Sequence, residues 1–211
     1  MRLTTLFATL FAAFFTALPA MAQTQTALVA GGCFWCVESD FRRVDGVTDV
    51  RVGFAGGSQP NPAYEDVARG RTDHLEVTQI TFDTGEISYR QVLDLFLRSI
   101  DPFDAGGQFC DRGMQYSTAI FATPEQQPIA QAAIAAAEAE LDKSIVTPVR
   151  DMATFYEAED YHQNYANSEE RTLTRFGWIT RKDAYKNYRE ACGRDAQVRR
   201  IWGSDAPFVG G

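Results

Sequence analysis

The sequence is poor in the residues that hold metals or staple small folds, with two histidines and four cysteines in 211 residues. Two histidines and a single C-x-x-C argue against a zinc site, which needs four ligands in tetrahedral array. Four cysteines are too few for a disulfide scaffold. There is no run of like charge, no internal repeat, no low-complexity tract and no linker long enough to split off a second domain. With 45% hydrophobic and 23% charged residues, the chain fits none of the disordered, collagenous, coiled-coil or multi-span membrane classes. A chain of this size buries roughly 70% of its unfolded surface, so neither metal nor bridge is needed merely to fold.

The first 22 residues stand apart. After Arg2 they carry no charge, and they close on Ala20-Met21-Ala22, with small residues at the two positions a signal peptidase reads. A secretory signal over residues 1–22 is expected, with Gln23 opening a mature domain over residues 23–211. A membrane anchor fits less well, because the segment is short and holds four threonines and Pro19. Removing Arg2 leaves 19 basic against 28 acidic residues, a net charge of −9, which argues against nucleic acid and anionic membranes as partners. A periplasmic or secreted location follows, with no membrane contact after cleavage.

Residues 26–32 read as a buried strand ending in glycine, and residues 33–43 as a helix. A second strand spans 47–55, and residues 56–62, rich in glycine and proline, form a loop. In the strand expected at 74–82, Glu76 shares a face with Ile80 and Phe82, while Leu75 and Val77 point the other way. Residues 88–100 form an amphipathic helix, 101–114 an irregular segment and 116–122 a strand. Thr123 and Gln126 suit the start of an alanine-rich, solvent-side helix, although Pro128 should weaken its first turn. A short strand at 145–150 and a stretch of short helices with an irregular tail complete the chain. Near-alternation of strands and helices predicts a two-layer α/β sandwich, a mixed sheet flanked by helices.

The chemistry concentrates in Gly31-Gly32-Cys33-Phe34-Trp35-Cys36. A cysteine at a helix N-terminus sits where the positive end of the helix favours a thiolate. Cys36 lies one helical turn on, within disulfide reach. A thioredoxin-like exchange pair is one reading, though Trp35 inside the motif and Gly32 before it fit that class poorly. A non-enzymatic, disulfide-stabilised exported domain is another.

Gly-Cys-Phe-Trp-Cys resembles the active-site signature of the A-type peptide methionine sulfoxide reductases. Four further segments resemble the same family in order: Gly56-Gly57 with Pro60-Asn61-Pro62-Ala63-Tyr64, Gly70-x-Thr72-x-His74-x-Glu76, Asp111-Arg112-Gly113-Met114-Gln115-Tyr116, and Phe155-Tyr156-x-Ala158-Glu159-Asp160-Tyr161-His162-Gln163. The resemblance implies an enzyme that reduces methionine-S-sulfoxide, free or in proteins, and so repairs oxidised exported proteins. It implies Cys33 as nucleophile and Glu76 as the acid for the sulfoxide oxygen, kept protonated by burial. It implies that Tyr64 and Tyr116 hydrogen-bond that oxygen, and that Asp111 orients water or the substrate amide. Phe34 and Trp35 would hold the methyl group. His74 and His162 read as satisfied structural histidines. No metal or organic cofactor is implied.

Attack by Cys33 leaves a sulfenic acid, which a second thiol condenses to a disulfide and a thioredoxin-like reductant then reduces. Cys36 is the expected resolving cysteine, with Cys192 on the tail as the alternative. Cys110 and Cys192 would then pair, as a structural bridge or a second relay. A monomer is expected.

Overall fold

The computed structural model describes residues 23–210, so the expected leader at 1–22 lies outside the described residues. The chain runs through β1 (Thr24–Gly31), α1 (Phe34–Phe41), β2 (Val47–Ala55), α2 (Tyr64–Ala68), β3 (Leu75–Asp83) and α3 (Tyr89–Leu97). A short hairpin of β4 (Gly107–Gln108) and β5 (Asp111–Arg112) follows, then β6 (Thr118–Ala122), α4 (Gln127–Leu141), β7 (Val149–Asp151) and β8 (Tyr156–Glu157). The chain closes with a hairpin of β9 (Arg171–Thr174) and β10 (Gly177–Thr180), then α5 (Arg181–Ala191) and α6 (Arg194–Trp202). The C-terminal part thus carries more regular structure than the sequence suggests.

Six strands form one sheet in the order β7-β6-β1-β3-β2-β8. The β6–β7 pair is parallel and the other pairs are antiparallel, so the sheet is mixed. Alternation sorts its faces. Ala27, Val29, Val50, Ile80, Phe82 and Ile120 point to the side covered by α1, α3 and α4. Leu28, Ala30, Ala55, Leu75, Val77, Ala119 and Phe121 fill the other side, capped by Ala153 and Phe155 from the segment before β8. Each of these larger apolar side chains contributes about 1.5–3 kcal/mol when buried. Glu76 stands on the helix-covered face, in register with Phe54 of β2.

Two local details differ from the sequence expectation. Thr123 and Gln126 exchange side-chain and backbone hydrogen bonds at 3.3 and 3.2 Å, but α4 begins at Gln127. Pro128 therefore lies in the first helical turn, where a backbone N–H has no partner to lose, and does not weaken it. Residues 114–116 make a 3₁₀ turn, so the strand expected from 116 starts at Thr118. Among the described residues no helix is long and apolar enough to cross a membrane.

Candidate active site

β1 ends in Gly31 and Gly32, and Gly32 turns the chain into α1 at φ +78°, with Gln108 packed so closely that a Cβ would run into it. The turn sets Cys33 at the N-cap of α1, and the Cys36 N–H donates to the Cys33 carbonyl at 3.0 Å. Both thiols are buried, Cys33 at 7% exposure and Cys36 at 2%.

The helix N-terminus serves a different group from the one the sequence suggests. The Phe34 N–H donates to Oε2 of Glu76 at 3.0 Å. Burial pushes the Glu76 carboxyl up to about 8, with the Phe34 bond opposing and the charges of Asp111 and Cys36 adding. Glu76 is therefore largely protonated at neutral pH. The hydrogen bond to Cys36 raises Cys33 above the usual thiol range, as do burial and the charges of Cys36, Glu76 and Asp111. The same hydrogen bond lowers Cys36. The pair thus differs in direction, Cys33 raised and Cys36 lowered, and the helix N–H expected to favour a Cys33 thiolate is donated to Glu76 instead.

Tyr64 opens α2 and Tyr116 ends the 3₁₀ turn. Burial first, then Glu76, raises both phenols, and Cys33 raises both further, so the four groups share one electrostatic neighbourhood. Both phenols stay protonated and can donate. The aromatic side is continuous. Phe34 lies 6.0 Å from Phe54 and 6.3 Å from Tyr64, and Trp35 stacks on Tyr165 at 4.0 Å. Asp111 of β5 accepts a hydrogen bond from the Tyr188 hydroxyl of α5; burial raises its carboxyl, while Tyr188 and Arg194 hold it down.

The two histidines differ. His74 accepts from the Gly57 N–H through Nδ1 at 3.2 Å, so its Nε2 donates to the Gln59 carbonyl at 2.7 Å. It pins the glycine-rich loop to the start of β3, two residues from Glu76. His162 is not satisfied as expected. It is 1% exposed, packs 4.2 Å from Tyr64 and 5.3 Å from Phe34, and neither ring nitrogen has a hydrogen-bond partner among the described residues. Burial pushes it down to about 4, so it is neutral in its aromatic cage.

Cys33, Cys36, Phe34, Trp35, Tyr64, Glu76, Asp111 and Tyr116 thus converge. Cys110 and Cys192 lie to one side, joined by a disulfide with a Cα–Cα distance of 5.1 Å. Among the described residues no cluster of three or more His, Cys, Asp or Glu side chains could hold a metal ion. Sequence reasoning missed Tyr188. Its signal was available only in combination: Cys192 lies one helical turn beyond it, and Cys110 immediately precedes Asp111, so bridging the cysteines carries Tyr188 to Asp111.

Known proteins resemble the chain over most of its length. The sequence profile of the family described as Peptide methionine sulfoxide reductase matches residues 25–194. Peptide methionine sulfoxide reductase MsrA 2 of Rhizobium meliloti is 46% identical over 194 residues, covering 91% of this chain and 91% of its own. The protein of the same name from Caulobacter vibrioides is 40% identical over 205 residues, covering 96% of this chain and 98% of its own. Among solved structures, reduced Mxr1 of Saccharomyces cerevisiae matches with a TM-score of 0.64 at 30% identity, covering 72% of this chain and 88% of its own. Methionine sulfoxide reductase A of Corynebacterium diphtheriae matches with a TM-score of 0.60 at 30% identity, covering 70% of this chain and 76% of its own.

Proposed function

Because the chain belongs to the A-type peptide methionine sulfoxide reductases, a family of thiol-dependent oxidoreductases, we propose that it reduces the S epimer of methionine sulfoxide through Cys33, Glu76 and Cys36. The observation that carries this reading is Glu76 itself. A carboxyl buried on the face of β3 under α1, tied to the Phe34 N–H and titrating near 8, is a proton donor at neutral pH beside a buried thiol.

The substrate methyl group lies against Phe34 and Trp35, and the sulfoxide oxygen faces Glu76, Tyr64 and Tyr116. Glu76 protonates that oxygen as the Cys33 sulfur adds to the substrate sulfur. The oxygen then passes to the Cys33 sulfur as the sulfur–oxygen bond of the substrate and the transient bond between the two sulfurs both break. Methionine leaves, and Cys33 remains as a sulfenic acid. The proton of the Cys33 thiol returns to Glu76, so the acid is regenerated. Asp111, held by Tyr188, orients water or the substrate amide. Cys36 then condenses with the sulfenic acid, releasing water and forming the Cys33–Cys36 disulfide. A thioredoxin-like dithiol restores both thiols by exchange.

An exported location, periplasmic or secreted, and a role in repairing oxidised exported proteins are supported by the leader-like residues 1–22 and by the Cys110–Cys192 bridge, a feature of oxidising compartments. The test uses the reduced mature protein and methyl-capped methionine sulfoxide of each hand. Sulfide from one epimer, with a Glu76→Gln variant slowed about 10²–10⁴-fold in single turnover, is expected. Single-turnover rates near wild type in that variant refute the acid assignment. Exchange on a scrambled disulfide protein, with no sulfide, refutes the reaction.

A further inference from the structure

Outside the substrate pocket, buried charge concentrates where α5 and α6 pack on α1. Asp40 is fully buried. Arg189 Nη1 donates to its Oδ1 at 2.8 Å, Arg43 Nη2 donates to the same oxygen at 3.3 Å, and Arg194 Nη2 lies 3.7 Å from its Oδ2. Arg189 also pairs with Asp195 at 2.8 Å. Three guanidiniums therefore share Asp40, with Asp195 pairing Arg189 and Asp111 lying within reach of the Arg194 charge.

Arg194 is the guanidinium with a nitrogen left unpartnered. It is 1% exposed, donates to the Ser99 carbonyl at 2.8 Å and lies over the Phe109 ring at 4.6 Å. Its Nε has no hydrogen-bond partner among the described residues, and its approach to Asp40 is not a hydrogen bond. A guanidinium taken out of water needs an anion close by. Asp40 and Cys36 are four residues apart on α1, so their side chains are neighbours on one face. Cys36 also packs with Tyr185, whose hydroxyl accepts from Arg189 at 2.9 Å.

We propose that Arg194, aided by Arg189, acts as a positioning residue that holds Cys36 as a thiolate, so that the resolving sulfur is charged before Cys33 is oxidised. The inference rests on the reading of Cys36 as the resolving cysteine. The groups around Cys36 are Cys33 and Asp40 on α1, Glu76 on β3, Tyr185, Tyr188 and Arg189 on α5, and Arg194 on α6. The Cys33 hydrogen bond pulls its titration down most, burial opposes, Arg194 and then Arg189 pull it down further, and Asp40 opposes. In the resolving step the Cys36 thiolate attacks the sulfur of the Cys33 sulfenic acid. The new S–S bond takes the electron pair of the thiolate, the S–O bond breaks, and the departing hydroxide takes a proton to become water. No outside oxidant or reductant enters.

In a Cys33→Ser protein with the Cys110–Cys192 bridge intact, Cys36 is the one remaining free thiol, and its thiolate is followed by ultraviolet absorbance across pH. Because the Cys33 hydrogen bond that lowers Cys36 most is altered in this background, its midpoint serves as the reference from which the arginine and aspartate variants are read. Arg194→Met in that background should raise the midpoint by about one pH unit or more, and Arg194→Lys should restore at least half of the change. Asp40→Asn should lower it, a direction that loosened packing does not mimic, and this variant decides the matter if Arg194→Met does not fold. With Cys33 present, Arg194→Met should slow disulfide formation about tenfold at neutral pH and recover at alkaline pH. A midpoint unmoved by Arg194→Met and by Asp40→Asn overturns the charge assignment. A Cys36→Ser protein that still forms an intramolecular disulfide on Cys33 overturns the resolver reading instead, whatever the titration shows.

Discussion

Replacing Glu76 by glutamine should cost the enzyme its chemistry and make the fold more stable, and the pH dependence of that gain tests the protonation state directly. In the folded protein the carboxyl titrates near 8, because burial in a site with 2% exposure disfavours its charge. In the unfolded chain it titrates near its ordinary value of about 4.3. The folded value is raised, so this residue's contribution to stability is fully present below about pH 4 and is lost as pH rises through 8. At pH 7 the fold must hold a proton that the unfolded chain has released, which costs about 3 kcal/mol at 1.36 kcal/mol per pH unit. Glutamine has the same shape, keeps an oxygen for the Phe34 N–H and, like the protonated acid, presents one donor side, but it has no charge to neutralise. The stability difference between Glu76→Gln and wild type should therefore grow by about 3 kcal/mol between pH 4.5 and pH 7. That corresponds to about 6–12 °C in Tm for a domain of this size. Thermal and urea unfolding of both proteins at the two pH values measures it. A difference that stays constant with pH means the carboxyl is ionised in the fold, and the proposed acid role fails with it.

The opposite epimer should be turned over far more slowly, since its oxygen would face Phe34 and Trp35 and leave buried polar groups unpaired at about 1–3 kcal/mol each; comparable turnover of both hands refutes the pocket. After one equivalent of sulfoxide, Cys36→Ser should accumulate the Cys33 sulfenic acid while Cys192→Ser still forms the Cys33–Cys36 bond, read by trapping and mass spectrometry; a stall in Cys192→Ser instead makes the tail the resolver. Changing both Cys110 and Cys192 to serine removes a bridge across 82 positions and should lower unfolding free energy by about 4–5 kcal/mol in the chain-entropy model, with sulfoxide single turnover retained. Tyr188→Phe removes the hydroxyl that holds the Asp111 carboxyl down, so the pH profile of kcat/KM should move, and an unchanged profile refutes the role given to that hydrogen bond.

The sequence by itself determined most elements as far as α4 and named most of the side chains that the fold brings together. Period-two alternation in β3 placed Glu76 with Ile80 and Phe82, because a pleated strand has only two faces. The glycine pair before Cys33 announced a strand-to-helix turn, because only glycine takes φ +78° without strain. What the sequence could not determine was how charge is shared among groups that the chain brings together from far apart. It placed a thiolate on Cys33 from the helix N-terminus alone. Tertiary structure gives that N–H to Glu76, 42 residues on, and sets Cys36 against guanidiniums more than 150 residues away on α5 and α6. Tyr188, Arg189 and Arg194 read as an ordinary charged C-terminus until α5 and α6 pack on α1. His162 likewise read as a satisfied residue until four aromatic rings closed around it. Local conformation follows from short-range sterics and periodicity, which one sequence window contains. Protonation follows from burial and through-space charge, which exist only once distant segments have packed.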